Sequence, residues 1–183
     1  MKVVLIVGDG MSDRPLRELG KKTPLEEAHT PNMDEIASKG ICGIMDVISP
    51  GVPPGSDTAH LALFGYNPYD VYTGRGAFEA IGVGIELLPG DVAFRCNFAT
   101  VSEDGVVVDR RAGRIDSETA AELAKSLEGV KPPTHPDVEV LVKHATEHRL
   151  ALVLRGPGLS KMVSDTDPES PQKPLEECRP LDE

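Results

Sequence analysis

Tryptophan is absent from this chain of 183 residues, and only 4% of it is aromatic. A core must therefore rest on Val, Ile, Leu and Ala. Cysteine is equally scarce: Cys42, Cys96 and Cys178 stand far apart with no C-x-x-C spacing. An odd, scattered set excludes a disulfide framework and a structural zinc site, and fits free thiols in a reducing compartment. Positive charge is in short supply, with 19 Lys and Arg against 30 Asp and Glu and a formal net charge of −11. Non-specific nucleic-acid binding needs a basic footprint and is excluded. The acidity serves solubility, and an anionic substrate would require the few cations to be gathered at its site. Long apolar runs are missing too: no window approaches the roughly 18 residues of a membrane span. The opening run, residues 3–7, is closed at once by Gly8-Asp9-Gly10 and is too short for a signal peptide. A soluble, cytoplasmic protein without membrane partners is expected.

What is present reads as α/β. Residues 3–7, Val-Val-Leu-Ile-Val, form a continuous aliphatic run of the kind found in strands buried on both faces of a parallel sheet. Thr30-Pro31 resembles a helix cap followed by proline at the first helical position, and that helix should end at Gly40. A second strand is predicted over residues 41–48, completing strand–helix–strand order. The stretch Ser49 to Gly55 is too rich in Pro and Gly for regular structure. A helix is predicted from Ser56 to Gly65, and a short one near residues 78–80. A domain change is placed at residues 85–90. Beyond it, residues 92–101 alternate as a strand, Ser102-Glu103-Asp104-Gly105 is a hairpin turn, and residues 106–109 return. An amphipathic helix covers 116–127, and two strands cover 138–143 and 150–154. After Gly156 the chain is dominated by proline.

Two residues suggest chemistry. Asp9, directly after the first strand and between glycines, would stand at the mouth of a sheet, where hard cations seek oxygen ligands. Taken alone it reads equally as a turn aspartate bonded to its own backbone. Ser56 stands at a helix start after Gly55, where free N–H groups favour phosphate. Taken alone it reads as a cap. Gly55-Ser56-Asp57 is not a G-x-S-x-G elbow, so a Ser-His-Asp hydrolase is not indicated.

Together, a strand-end Asp-Gly and a Ser at a helix start after a Pro/Gly loop resemble the opening of alkaline phosphatase superfamily enzymes. Three phrases narrow the resemblance: Gly8-Asp9-Gly10-Met11-Ser12-Asp13, Pro54-Gly55-Ser56-Asp57-Thr58-Ala59-His60, and Gly74-Arg75-Gly76-Ala77-Phe78-Glu79-Ala80. With Asp109-Arg110-Arg111-Ala112-Gly113-Arg114 and Glu147-His148-Arg149, they resemble the amino-terminal part of the archaeal-type 2,3-bisphosphoglycerate-independent phosphoglycerate mutases.

The resemblance implies a partial alkaline-phosphatase-like parallel sheet with helices over 1–86, followed by an inserted α+β substrate domain over 87–183. It implies interconversion of 3-phosphoglycerate and 2-phosphoglycerate through a phosphoserine, with two divalent ions (manganese or zinc, with magnesium as a further option) and no 2,3-bisphosphoglycerate. Ser56 is then the nucleophile, with Asp9 and Ser56 as metal ligands. Arg110, Arg111, Arg114, His148 and Arg149 form the substrate clamp, one of the three arginines after the strand pairing instead with Asp109 or Asp116. Arg95 and Arg155 are further cations of that region. Asp165 and Asp167 are expected to serve loop structure. Relatives are longer, so the remaining Asp and His ligands are expected in a carboxyl-terminal half, in the same chain or in a second chain or copy that completes the sheet. The alternative is an inactive or truncated homologue that only binds a phosphorylated acid or a partner.

Overall fold

A computed structural model describes residues 2–181. They divide into two compact units that meet in sequence between Asp46 and Val47. The first unit is held by short helices. Thr23 and Glu26 cap helix α1 (Pro24–Glu27) reciprocally: the Glu26 N–H donates to Thr23 Oγ1 (3.1 Å) and the Thr23 N–H to Glu26 Oε2 (2.7 Å). Helix α2 (Pro31–Lys39) opens on proline and stops at Gly40, as predicted.

The two strands predicted on either side of α2 are not formed. Residues 3–7 and 41–46 make no strand ladder among the described residues. Ile6 is 83% exposed, and Ile41 and Ile44 are fully exposed. A parallel strand is stable only between neighbours that take up its N–H and C=O groups. The described residues supply no such neighbour, so two extended apolar segments stand where the parallel sheet was expected.

The second unit carries the sheets, and they are antiparallel. Helices α3 (Ser56–Leu63), α4 (Pro68–Val71) and α5 (Arg75–Gly82) precede strand β1 (Val92–Asn97). Strands β2 (Thr100–Val101) and β3 (Val106–Asp109) form the predicted hairpin. Helix α6 (Ser117–Lys125) is capped by Asp116, whose carboxylate accepts from the Thr119 N–H (2.9 Å). Strands β4 (Glu139–His144) and β5 (Arg149–Arg155) follow, and the two-residue strand β6 (Lys173–Pro174) adds to β3. The larger sheet has the order β1-β5-β4.

Strand alternation divides the core between two faces. Ala151 and Val153 pack with Ala80 and Ile85 on the α5 side, while Leu150 and Val142 pack with Ala124 of α6 on the other. The approach of α5 to β1 is so close that a Cβ on Gly76 would sit 1.9 Å from the Ala93 carbonyl oxygen. Helix α5 therefore belongs to the later compact unit, which is why the boundary at 46/47 differs from the domain change expected near 86. The short helix expected at 78–80 is the full α5, stabilised by this tertiary contact more than by its own propensity.

Two ion pairs fix the ends of this unit. Arg155 grips Asp91 through Nε (3.0 Å) and Nη2 (2.8 Å). Arg110 grips Asp167 through Nε (2.7 Å) and Nη2 (2.5 Å) and donates through Nη1 to the Glu169 carbonyl (2.8 Å), tying the proline-rich tail to the end of β3. Each arginine hydrogen bond holds its carboxyl below the usual 3.8.

Replacing Gly76→Ala should destabilise the second unit by about 1–3 kcal/mol, because backbone rather than a movable side chain blocks the new methyl group; denaturant unfolding followed by circular dichroism reads it. Depressed carboxyl pKa values stabilise the fold above the ordinary value and lose that contribution as pH falls through the folded value. The urea midpoint should therefore be flat above about pH 5 and drop towards pH 3, and Asp91→Asn with Asp167→Asn should flatten that acid limb while lowering the plateau.

Candidate active site

Ser56 is the first residue of α3, not its cap. The cap is Gly55, whose N–H donates to Thr58 Oγ1 (3.1 Å), so the Ser56 hydroxyl is not required for capping. Ser56 is exposed, and its hydroxyl makes no hydrogen bond among the described residues. His60, one turn along this helix, turns its Nδ1 back onto the Ser56 carbonyl (2.5 Å). The Ser56 hydroxyl is therefore committed to no structural bond among the described residues.

The cations cluster elsewhere in the same unit. Arg95 lies on β1, Arg149 opens β5, and their register places both on the α5 face of the sheet, with Asn97 directly opposite Arg149. His148 precedes Arg149 and is 7% exposed. Its imidazole pKa is held below the usual 6.5, first by burial and then by the charges of Arg149, Arg111 and Arg95, against an opposing pull from Glu147. Three arginines, with Arg111 in an exposed position, thus lie near enough to His148 to act on its charge, in a chain of net charge −11.

Their hydrogen bonds are incomplete. Arg95 Nε, His148 Nδ1 and Arg149 Nε are buried and have no hydrogen-bond partner among the described residues. The nearest carboxylates are too distant for one: Glu79 is 3.7 Å from Arg95 Nε, and Glu147 is 3.8 Å from His148 Nδ1. A buried donor left unpaired costs about 1–3 kcal/mol, so three at one place call for an explanation. An anion is the chemical complement of all three.

Strained turns present these residues. After β3, Ala112 (φ 48°) and Arg114 (φ 58°) are left-handed without being glycine. The Asp109 carboxylate holds that turn by accepting the N–H groups of Arg111 (2.8 Å) and Gly113 (3.0 Å). Before His148, Glu147 is also left-handed (φ 48°), and its N–H donates to Ser117 Oγ (2.9 Å) on α6. Strain of this kind persists only where surrounding bonds over-determine it, and it gathers at functional sites.

The seven residues expected at the site therefore separate. Arg149 follows His148 in sequence, and the charges of Arg149 and Arg111 both act on the His148 imidazole, Arg111 from an exposed position. Arg110 does not join them: Asp167 occupies its guanidinium, so the arginine expected to pair with Asp109 or Asp116 pairs with Asp167 instead. Asp165 and Asp167 do serve the loop, as expected, with Asp165 accepting the N–H groups of Thr166 and Asp167. Arg114 is exposed at the turn. Asp9 is an exposed turn residue of the first compact unit. No group of three His, Cys, Asp or Glu side chains suited to a metal ion occurs among the described residues.

Sequence reasoning passed over Asp57, Tyr72 and Arg75. The Tyr72 hydroxyl and Arg75 Nε (3.1 Å) both donate to Asp57 Oδ2. Arg75 stands between Gly74 and Gly76 in one of the phrases that carry the family resemblance, without a role assigned to it there. A cleft of about 680 Å³ runs past Gly74, Arg75, Arg95 and Arg110, and so joins the neighbourhood of α3 to the first of these cations.

Known proteins resemble this chain closely. It is 62% identical over 184 residues to the 2,3-bisphosphoglycerate-independent phosphoglycerate mutase of Ignicoccus hospitalis, covering 99% of this chain and 44% of that protein. The enzyme of the same name from Methanobrevibacter smithii is 55% identical over 183 residues, 100% of this chain and again 44% of the relative. Among solved structures, the cofactor-independent phosphoglycerate mutase of Thermoplasma acidophilum superposes with a TM-score of 0.57 at 47% identity, covering 94% of this chain and 44% of that one. The chain thus spans less than half the length of these relatives. Residues 37–183 match the family description in sequence, and the chain belongs to the 2,3-bisphosphoglycerate-independent phosphoglycerate mutase family.

Proposed function

We propose that this chain supplies the phosphoryl acceptor and the substrate clamp of an enzyme that interconverts 3-phosphoglycerate and 2-phosphoglycerate. The observation that carries the reading is the set of buried, unpartnered cationic donors on Arg95, His148 and Arg149. With Arg111 they match a small, multiply charged anion such as a phosphoglycerate, whose carboxylate and phosphate both suit guanidinium groups. The family by its name works without 2,3-bisphosphoglycerate; on this reading the phosphoryl group rests on the protein between donor and acceptor positions.

Ser56 is the residue for that role. Its oxygen attacks phosphorus, the bond to the 3-oxygen of glycerate breaks, and the serine proton passes to that oxygen. Glycerate then turns within the clamp. Its 2-hydroxyl attacks the phosphoserine, the Ser56 oxygen leaves, and the proton returns to it. The clamp's task is to hold glycerate while it re-orients, so that water does not take the phosphoryl group.

Residues 1–86 would carry the phosphoryl-handling side and residues 87–183 the substrate side. Asp9 and Ser56 are each proposed as a ligand of a divalent ion, manganese or zinc, and one oxygen apiece does not complete a coordination shell, so further ligands are needed. The exposed apolar residues at 3–7 and 41–45 are the surface we assign to further strands, whether of the same chain, a second chain or a second copy. The placement is cytoplasmic on this reading; no helix of the described residues is long and apolar enough to cross a membrane.

Titration calorimetry with 3-phosphoglycerate should show that Arg149→Gln and Arg111→Gln each weaken binding roughly tenfold, the worth of one charge-assisted hydrogen bond. Unchanged affinity in both would refute the clamp. Ser56→Ala should retain binding and abolish both phosphoserine and mutase turnover in the presence of manganese. Binding without turnover in the unaltered chain would favour the non-catalytic reading.

His148 adds a pH test. A group held neutral by burial and then by neighbouring cations takes up a proton when an anion joins it. Affinity for 3-phosphoglycerate should therefore rise as pH falls from about 8 towards 6, with proton uptake on binding, and His148→Gln should remove that dependence.

A further inference from the structure

We propose that Arg75 is a phosphate-binding residue for the phosphoryl group at Ser56, with Asp57 and Tyr72 as the positioning residues that hold it there. The inference rests on the reading of Ser56 as acceptor and adds a contact that reading lacks, since the clamp cations lie on the sheet.

The geometry is specific. Arg75 Nε is fixed by Asp57 Oδ2 at 3.1 Å, and the same oxygen accepts the Tyr72 hydroxyl. Asp57 is the residue after Ser56, and its side chain is only 11% exposed. The carboxylate folds back over Gly55, where a Cβ would sit 2.7 Å from Asp57 Oδ1 and 3.5 Å from Arg75 Nη2. The Nη2 end of the guanidinium therefore lies near Gly55, the residue before Ser56. Its one carboxylate bond among the described residues is made through Nε, and Tyr72 shares a side-chain hydrogen bond with it. An arginine whose Nε is tied down is pre-organised to present its Nη edge to phosphate oxygens.

The backbone adds rigidity. Arg75 opens α5, and contact of Gly76 with Ala93 seats that helix end on β1. Arg75 and Arg95 line one cleft, which also carries the carboxylates Asp165 and Asp167. Burial alone would raise the Asp57 carboxyl, but the Tyr72 hydroxyl, backbone N–H groups and the Arg75 charge outweigh it and keep it ionised.

The test uses the 183-residue chain and inorganic phosphate, read by amide chemical shifts and calorimetry. Phosphate should move the Ser56 and Asp57 amide resonances. Arg75→Gln should weaken that binding roughly tenfold and Arg75→Lys by less, because a lysine keeps the charge and loses the fork. Asp57→Asn and Tyr72→Phe should each weaken it about threefold, and Asp57→Asn should add nothing once Arg75 is replaced. A purely structural triad would instead lower the melting temperature in all variants and leave phosphate affinity unchanged, which overturns the proposal. Absence of shifts at Ser56 and Asp57 in the unaltered chain overturns it as well. Should Arg75→Gln fail to fold, Tyr72→Phe decides, since it deletes one hydroxyl and keeps both charges. A chain that binds phosphate through Arg75 but binds 3-phosphoglycerate no more tightly would sink the functional proposal and leave the Arg75 assignment standing.

Discussion

The close contact between α5 and β1 is the constraint on which the second unit turns. Gly76 meets the Ala93 carbonyl with no room for a side chain, and Ala80 is completely buried against Ala151 and Val153. Small residues on the helix let it approach the sheet closely. That approach fixes where α5 begins, and Arg75 is its first residue. The same strand that α5 touches carries Arg95. One packing contact therefore sets the relation between the anchored arginine beside Ser56 and the cations of the sheet.

Electrostatics then distinguishes the cations of this acidic chain. Some are spent on ion pairs: Arg110 on Asp167, Arg155 on Asp91, and Lys39 on Glu35. The buried donors without a partner among the described residues are Arg95 Nε, His148 Nδ1 and Arg149 Nε. Arg95 and Arg149 share a sheet face, and His148 is buried beside them. Burial first, and then the charges of Arg149, Arg111 and Arg95, lower the His148 pKa. An anion placed among these groups would relieve both the repulsion and the missing hydrogen bonds.

The first unit presents the opposite condition. Its helix α1 is well capped, yet Val3, Ile6, Ile41 and Ile44 face solvent. Hydrophobic burial is the main term that offsets chain entropy, and an aliphatic run left open contributes little of it. The chain has 44% of the length of its Ignicoccus and Methanobrevibacter relatives, and this apolar surface is where further polypeptide would add most stability.

Much of this protein is legible in local sequence. Pro31 and Gly40 bound α2, Asp116 caps α6, Ser102 to Gly105 turn the β2–β3 hairpin, and residues 138–143 and 150–154 read as the strands that become β4 and β5. These signals are local because capping, turn geometry and side-chain period depend on neighbours within a few residues. The phrases around Asp9 and Ser56 likewise identified the family. Tertiary structure decided the rest. Residues 3–7 have strand composition and no ladder, since a ladder needs partners that no local run can provide. Arg110 and Arg111 are adjacent in sequence, yet Asp167 takes one and His148 lies near the other. Which of two neighbouring arginines is free depends on a carboxylate 57 residues away, and only the folded chain brings that carboxylate within reach.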